Sequence, residues 1–351
     1  MRASAGNDSS PILALETSCD DTCAAVLDGA GRIGANVISS QTDHDKFGGV
    51  VPEIASRHHL ELVNLIVAQA LSDAGVTLDE IGLVAATQGP GLVGALLVGL
   101  TTAKALAAAR ELPLAAIDHM QGHVAANFLA AFEPPFVCLI ASGGHTLLTR
   151  VEEHEGFVVL GRTLDDAAGE AFDKGARMLG LGYPGGAELE RLAAGGDPDA
   201  YAFPGLRRKR TRGGRSKRRH AFDSSLDFSF AGIKTALLHL LRELPAAEAR
   251  ARAADVAASY QAAITDSLLL RVEQALERTG LDRVAVGGGV AANGELRRRL
   301  RGLSATVHVP ARVLCTDNAA MIASAARFTE ALPYPEYLGL DAYATGERPP
   351  W

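Results

Sequence analysis

Apolar and polar positions along this chain follow two periods, and the two take turns. Short apolar runs bounded by polar or glycine-rich turns read as buried strands. Longer stretches with apolar residues three and four apart read as helices. In the first half, strands are predicted over 11–16, 23–28 and 32–40, the first two joined by the polar turn Thr17-Ser18-Cys19-Asp20-Asp21-Thr22. After a bend at Gly48 and Gly49, a helix is predicted over 54–71, a strand over 81–87, a helix over 92–109 and a strand over 114–117. Beyond Pro134-Pro135 the pattern starts again, with strands over 136–141, 146–151 and 157–160 and the turn Ser142-Gly143-Gly144-His145 between the first two. Helical period follows over 166–181, 233–241 and 251–278. Then come a strand over 283–286, a helix over 292–303, a strand over 306–309 and a last helix over 318–332.

Each half therefore reads strand, turn, strand, strand, then strands alternating with helices. That order predicts an α/β protein with the two-lobed fold of actin, the sugar kinases and Hsp70, in which a nucleotide lies between the lobes. A doubly wound dehydrogenase-like sheet is the competing arrangement. The expected division is a first lobe over 1–134, a second over 135–310, and a C-terminal segment, 311–351, that returns to the first. The stretch 81–103 carries no charge, but Gln88-Gly89-Pro90-Gly91 breaks it into a short strand and a separate helix, so it does not read as a membrane span.

Composition alters this picture in only one place. The chain is 48% hydrophobic and 21% charged, as a folded globular protein is, and its net charge of −7 excludes nucleic-acid binding through overall charge. Four cysteines, Cys19, Cys23, Cys138 and Cys315, are too few and scattered for a disulfide scaffold, and free thiols are expected. Residues 1–11 are polar and lack the apolar core of a signal peptide, so a cytoplasmic location is expected. The exception is 207–220, where nine of fourteen residues are Lys or Arg around Gly213-Gly214. A cationic loop, not core, is predicted there.

Candidate chemistry centres on His119-Met120-Gln121-Gly122-His123. Two histidines four apart on a helix share a face and are spaced to hold one metal ion. Asp118 is a good N-cap for such a helix, which would follow the strand ending at residue 117. Without further context the pair reads equally as two packed or solvated helical histidines. Ser142-Gly143-Gly144-His145-Thr146 could aim backbone N–H groups at an anion, or could be an ordinary hairpin turn. Gly287-Gly288-Gly289 separates a strand from a helix start, a favoured nucleotide position, although it is not the dinucleotide fingerprint. Asp166, Glu170, Asp173 and Lys174 are predicted to share one helical face. Asp317 could cap the last helix, or could add a carboxylate to the histidine pair and leave coordination positions open.

Eight stretches occur in a fixed order: Glu16-Thr17-Ser18-Cys19-Asp20-Asp21-Thr22, Gly48-Gly49-Val50-Val51-Pro52-Glu53, Gly89-Pro90-Gly91-Leu92, the histidine stretch, Ser142-Gly143-Gly144-His145-Thr146, Phe172-Asp173-Lys174, Tyr183-Pro184-Gly185-Gly186 and Cys315-Thr316-Asp317-Asn318. Together, from about residue 12 to 328, they resemble the tRNA N6-adenosine threonylcarbamoyltransferase family, once described as O-sialoglycoprotein endopeptidases. The resemblance implies the actin-like fold with nucleotide and metal between the lobes. It also implies transfer of threonylcarbamoyl from threonylcarbamoyl-AMP to the adenosine beside the anticodon, in tRNAs reading codons that begin with A. It assigns His119, His123 and Asp317 as ligands of one transition metal ion, iron(II) by preference and zinc as the alternative. Ile140, Ala141, Ser142, Gly143, Gly144, Asp173, Gly186 and Asn293 match positions that hold the adenylate, and Asp20 matches a carboxylate implicated in activity. A shorter paralogue of the same fold and a small ATPase are implied as partners beside tRNA, with the 54–71 helix as docking surface.

Gln121 departs from the family, which commonly has Glu there, but the position is not a ligand. The basic stretch 207–220 is a second departure. The implied chemistry is acyl transfer to an amine, with the glycine turns fixing the nucleotide and the metal as Lewis acid. Asp20 and His145 are the candidate general bases. Among rivals, a zinc peptidase needs Glu directly after the first histidine, where Met120 stands. A small-molecule kinase of this fold has no need of two histidines, and a non-catalytic scaffold would be expected to lose the three ligands that this chain keeps.

Overall fold

The computed structural model describes residues 10–204 and 225–344, so the basic stretch 207–220 lies outside the described residues. The chain divides into two compact units, one of residues 1–134, 153–156 and 310–351 and the other of 135–152 and 157–309.

The first unit carries β1 (Ile12–Glu16), β2 (Asp21–Leu27), β3 (Ile33–Ser40), β4 (Leu83–Gly89) and β5 (Leu114–Asp118), in sheet order β3-β2-β1-β4-β5. The second carries β6 (Phe136–Ala141), β7 (Thr146–Glu153), β8 (Gly156–Arg162), β9 (Arg283–Gly287) and β10 (Thr306–His308), in order β10-β9-β6-β7-β8. Read from the third strand inward, the two orders are the same. In both, the first strand pairs antiparallel with the second and parallel with the fourth. The repeat visible in the hydrophobic pattern is thus a repeat of topology, and it is that of the actin-like fold.

Helices of the first unit are α1 (Pro52–Ala74), α2 (Val93–Ala108) and α3 (His119–Ala125). The second adds α4 (Ala168–Met178), α5 (Gly185–Ala193), α6 (Ala231–Glu243), α7 (Ala246–Ala251), α8 (Ala253–Thr279) and α9 (Gly294–Leu300). The chain then returns to the first unit with α10 (Arg312–Cys315) and α11 (Ala319–Ala326). Alternation along the strands sets the layers. Leu13, Leu15, Ala24 and Val26 face Val63 and Val67 of α1 and Leu100 of α2 in one apolar core. The alternate residues Cys23 and Asn36 point the other way, where their side chains meet Asp317 O and Ala320 N at the start of α11. α11 therefore covers the opposite face of the first sheet. Among the described residues no helix is long and apolar enough to cross a membrane, and all four cysteines are free.

Three predicted elements are corrected. The last helix ends at Ala326 rather than 332, because Leu332 exchanges two backbone hydrogen bonds of 2.9 Å with Leu114 at the edge of β5. Leu332 also precedes Pro333, which disfavours helical backbone. The helix predicted over 292–303 begins only at Gly294, after a 3₁₀ turn over Gly289–Ala292. Asp166, Glu170, Asp173 and Lys174 do not share one helical face. Asp166 precedes α4 and pairs with Lys174 and Lys234, whereas Asp173 Oδ1 accepts the N–H groups of Gly185 (2.9 Å) and Gly186 (3.2 Å). Those two bonds explain α5, a helix absent from the pattern. Two glycines are poor helix starters, but the carboxylate from α4 satisfies N–H groups that a helix start otherwise leaves open.

Candidate functional site

β5 runs into α3 through Asp118, whose Oδ1 accepts the N–H groups of Met120 (2.8 Å) and Gln121 (3.1 Å). The carboxylate cap holds a helix of only seven residues, too short to be stable by propensity alone. It places His119 and His123 one turn apart, both buried, with ring centroids 4.7 Å apart. α11 delivers the third group. Its cap is Asn318, whose side chain accepts the Met321 N–H at 3.0 Å, not Asp317 as the sequence allowed. Relieved of capping, Asp317 turns its carboxylate to the histidines. Its Oδ1 lies 3.4 Å from His119 Nε2 and 3.4 Å from His123 Nε2.

These three groups fit a metal ion. Their ligand atoms lie within 4.8 Å of one another, the one such cluster of His, Cys, Asp and Glu found among the described residues. Both ring nitrogens of His123 are buried without a hydrogen-bond partner, since Asp317 is near but off the donor direction. Two imidazoles and a carboxylate are borderline-to-hard donors suited to iron(II) or zinc. An orphaned buried imidazole costs stability unless something pairs with it.

Glu16, at the end of β1, was not assigned a role in the sequence. Its carboxylate is fully buried and accepts the Ser18 N–H (2.5 Å), the Thr87 hydroxyl (2.5 Å) and His119 Nδ1 (2.9 Å). A carboxylate only accepts, so His119 Nδ1 carries the hydrogen and, in the neutral ring, Nε2 holds the lone pair that faces Asp317. A signal for this was present: an acidic residue at the end of an otherwise wholly apolar strand needs a buried partner.

Charge in this cluster is balanced among neighbours. Burial opposes a charged His119, but the Glu16 and Asp317 carboxylates outweigh it and raise its pKa well above the usual histidine value. Burial likewise works against ionised Glu16 and Asp317, and the histidines overcome it, so both are held low. His123, chiefly through burial, is lowered. Asp20 stands in the β1–β2 turn, where burial, with Asp317 adding to it, raises its carboxyl against a hydrogen bond from Cys19. The Asp21 carboxyl is pushed up to about 7, first by burial and further by Asp317 and Asp20. A carboxyl with a raised folded pKa holds its proton more tightly when folded. The metal-free chain therefore loses stability from this group as pH rises from about 4 to about 7. Asp21→Asn should flatten that part of the stability curve, measured by denaturant unfolding at several pH values; a curve parallel to wild type would refute the shift.

The remaining predicted residues gather in the second unit, at the ends of β6 and β9. Ile140 and Ala141 close β6, with Ile140 level with Gly287 across the parallel pair. Ser142 ends the strand, its N–H donating to His145 O (2.8 Å) and its hydroxyl accepting the His145 N–H (3.1 Å). Gly143 and Gly144 at the tip are exposed, with open space where a side chain would stand. Gly288 has φ +85°, and a Cβ there would lie 2.4 Å from Ala141 O, so only glycine lets the two turns sit side by side. Asp173 and Gly186 meet through the hydrogen bond already described. Asn293 lies at the start of α9, and its side chain is engaged within the protein. Its Oδ1 accepts the Leu296 N–H (3.0 Å), and its Nδ2 donates to Gln261 (2.8 Å) and Glu190 (3.3 Å). The exposed N–H groups of two glycine turns at the ends of parallel strands form a cradle for an anionic ligand.

Comparison with known proteins supplies a family. Residues 32–324 match the family model described as tRNA N6-adenosine threonylcarbamoyltransferase. A protein of that name from Clostridium perfringens is 48% identical over 330 residues, covering 92% of this chain and 93% of its own. One from Symbiobacterium thermophilum is 50% identical over 321 residues, covering 90% of each. Among solved structures, component A of the (R)-2-hydroxyglutaryl-CoA dehydratase of Acidaminococcus fermentans superposes with a TM-score of 0.53 at 15% identity, over 92% of this chain and 98% of that one. HypF of T. kodakarensis gives 0.59 at 13% identity, over 91% of this chain and 48% of that one. At such identities the two structures establish the fold alone.

Proposed function

Because the chain belongs to the tRNA N6-adenosine threonylcarbamoyltransferase family, we propose that it transfers threonylcarbamoyl from threonylcarbamoyl-AMP to N6 of the adenosine beside the anticodon. The tRNAs are those reading codons that begin with A. The chain is a transferase, and the reading makes it a cytoplasmic, metal-dependent one. The observation that carries it is the convergence of His119, His123 and Asp317, drawn from two distant stretches of chain, in a chain of this family.

His119, His123 and Asp317 would hold one ion, iron(II) by preference or zinc. Such an ion supplies Lewis-acid polarisation of a carbonyl or phosphoryl oxygen. The protein's own part is to bind and orient. N–H groups of Gly143 and Gly144 and of the Gly287–Gly289 turn are aimed to receive adenylate oxygens. Asp173 sets the Gly185–Gly186 backbone beside them. Asp20 and His145 are the candidates to take the proton that the adenine amine loses as its N6–carbonyl bond forms and AMP leaves. A shorter paralogue of the same fold and a small ATPase are proposed partners. The docking surface is supported by apolar side chains on α1 and α2 that face solvent, Leu60 at 68% exposure and Leu65 at 65% above all.

The test is transfer from threonylcarbamoyl-AMP to unmodified tRNA, read by mass spectrometry of digested nucleosides, with and without those partners. Modified adenosine only in the complete mixture is expected. No product in any mixture, with metal-loaded protein, would overturn the reading.

tRNA itself needs a cationic contact that the rest of the chain does not offer. Without the nine Lys and Arg residues of 207–220 the net charge of −7 would stand at −16. If about four of these cations reach phosphates, changing all nine to Gln or Ser should lower the log–log salt slope of tRNA binding by roughly three. Adenylate binding should stay the same. An unchanged slope would show that the stretch does not grip tRNA.

A further inference from the structure

The last described residues, 341–344, lie against the segment that leaves β4, next to the start of α3. Gln88 Nε2 donates to Asp341 O (2.8 Å), the Tyr343 N–H donates to Gln88 O (3.2 Å), and Ala344 forms a parallel bridge with Gly91. This strap carries one large side chain inward. Tyr343 is 8% exposed, and its hydroxyl lies 2.7 Å from Asp118 Oδ2 and 2.8 Å from Gly89 O. Its ring rests on bare backbone, since a Cβ at Gly89 would come within 2.5 Å of Tyr343 O and 2.8 Å of the ring.

Asp118 therefore does two things at once. Its Oδ1 spans the N–H groups of Met120 and Gln121, and its Oδ2 is held by Tyr343. A capping carboxylate with one oxygen free can rotate about its Cβ–Cγ bond, and the first turn can shift with it. Pinning the second oxygen fixes the plane of the group and so the direction in which His119 leaves the helix. A second path runs from the same strap. Gly91, bridged to Ala344, is followed by Leu92, whose N–H donates to Ser18 O (2.9 Å), and the Ser18 hydroxyl lies 3.2 Å from His119 Nδ1. Burial and the neighbouring Asp118 raise the Tyr343 pKa, so the hydroxyl remains a donor.

We propose that Tyr343 is a positioning residue for the metal centre, acting through Asp118 on the first turn of α3 and hence on His119. The proposal rests on the reading of His119, His123 and Asp317 as metal ligands, and it concerns a residue outside the stretch 32–324 that the family model matches.

Cobalt(II) titration of the purified full-length chain tests it, because both affinity and the visible ligand-field bands report the geometry of the ligand set. Tyr343→Phe keeps the ring and removes only the hydroxyl. Partners beyond the ligands are worth about 10–100-fold in affinity. Tyr343 stands one bond further out, so a loss of about three- to tenfold is expected, with shifted bands and a nearly unchanged melting temperature of the metal-free chain. Wild-type affinity and bands, alongside a lowered melting temperature, would overturn the proposal and leave the strap a purely structural cover. Should Tyr343→Phe fail to fold, Gln88→Ala loosens the strap without entering the core. A smaller loss in the same direction is then expected, and none overturns the proposal. His119→Ala separates the two levels: if it binds cobalt(II) as well as wild type does, the ligand reading itself falls, and the role of Tyr343 with it.

Discussion

His123→Leu is expected to abolish metal binding and transfer while leaving the metal-free chain at least as stable as wild type. The usual outcome of replacing a buried polar side chain is loss of stability, through broken hydrogen bonds. Here both ring nitrogens of His123 are buried with no hydrogen-bond partner, so there is no bond to break. Each unsatisfied buried polar group costs about 1–3 kcal/mol, and leucine of similar size removes the group that incurs it. Denaturant unfolding of chelator-treated protein should show equal or greater stability, by up to about 3 kcal/mol. Metal analysis should fall from about one ion per chain to near zero, since a three-ligand site does not survive the loss of one ligand. Activity should fall by at least about a hundredfold, the upper range for changes that leave all ligands in place. Full metal occupancy in this variant would remove His123 from the ligand set. A loss of several kcal/mol in the metal-free chain would instead make it a structural residue.

Glu16→Gln should produce the next largest effect, and of a different kind. Glutamine fills the same space and can still accept from Thr87 or Ser18, so the fold should hold. It can also present its N–H₂ toward His119 Nδ1, which removes the acceptor that fixes the ring's tautomer. Metal affinity is expected to drop about 10–100-fold. Isotope-edited spectra of the His119 ring should show hydrogen divided between Nδ1 and Nε2 where the wild type places it on Nδ1. If affinity and tautomer stay as they were, the Ser18 hydroxyl at 3.2 Å is sufficient to orient the ring.

The sequence made local matters legible and left the long-range ones hidden. The five-strand order of each half followed from hydrophobic runs and turn chemistry, because both are set within a few residues of one another. The histidine helix and its Asp118 cap followed for the same reason. α5 did not, since its start depends on Asp173, a residue of the preceding helix, and Gly185-Gly186 alone argues against a helix. The exchange of roles between Asp317 and Asn318 was equally hidden. Both are good caps, and only the approach of α11 to α3 decides which one is left for the histidines. Glu16 announced itself as an acid ending an apolar strand, but its partner stands 103 positions away. Tyr343 gave no signal at all, because a tyrosine near an ordinary-looking tail is distinguished only by what it reaches.

The first unit is discontinuous in the chain, with the whole second unit inserted between α3 and α11. During synthesis the histidines are made early, but Asp317 and the helix that covers their sheet emerge only after residues 135–309 have been completed. Domains fold largely as units, in the order in which the ribosome delivers them. The second unit can therefore reach its native form while the first remains an open sheet with one face bare. Metal capture is then confined to the end of translation, and a nascent chain stalled before α11 would carry both histidines and hold no ion.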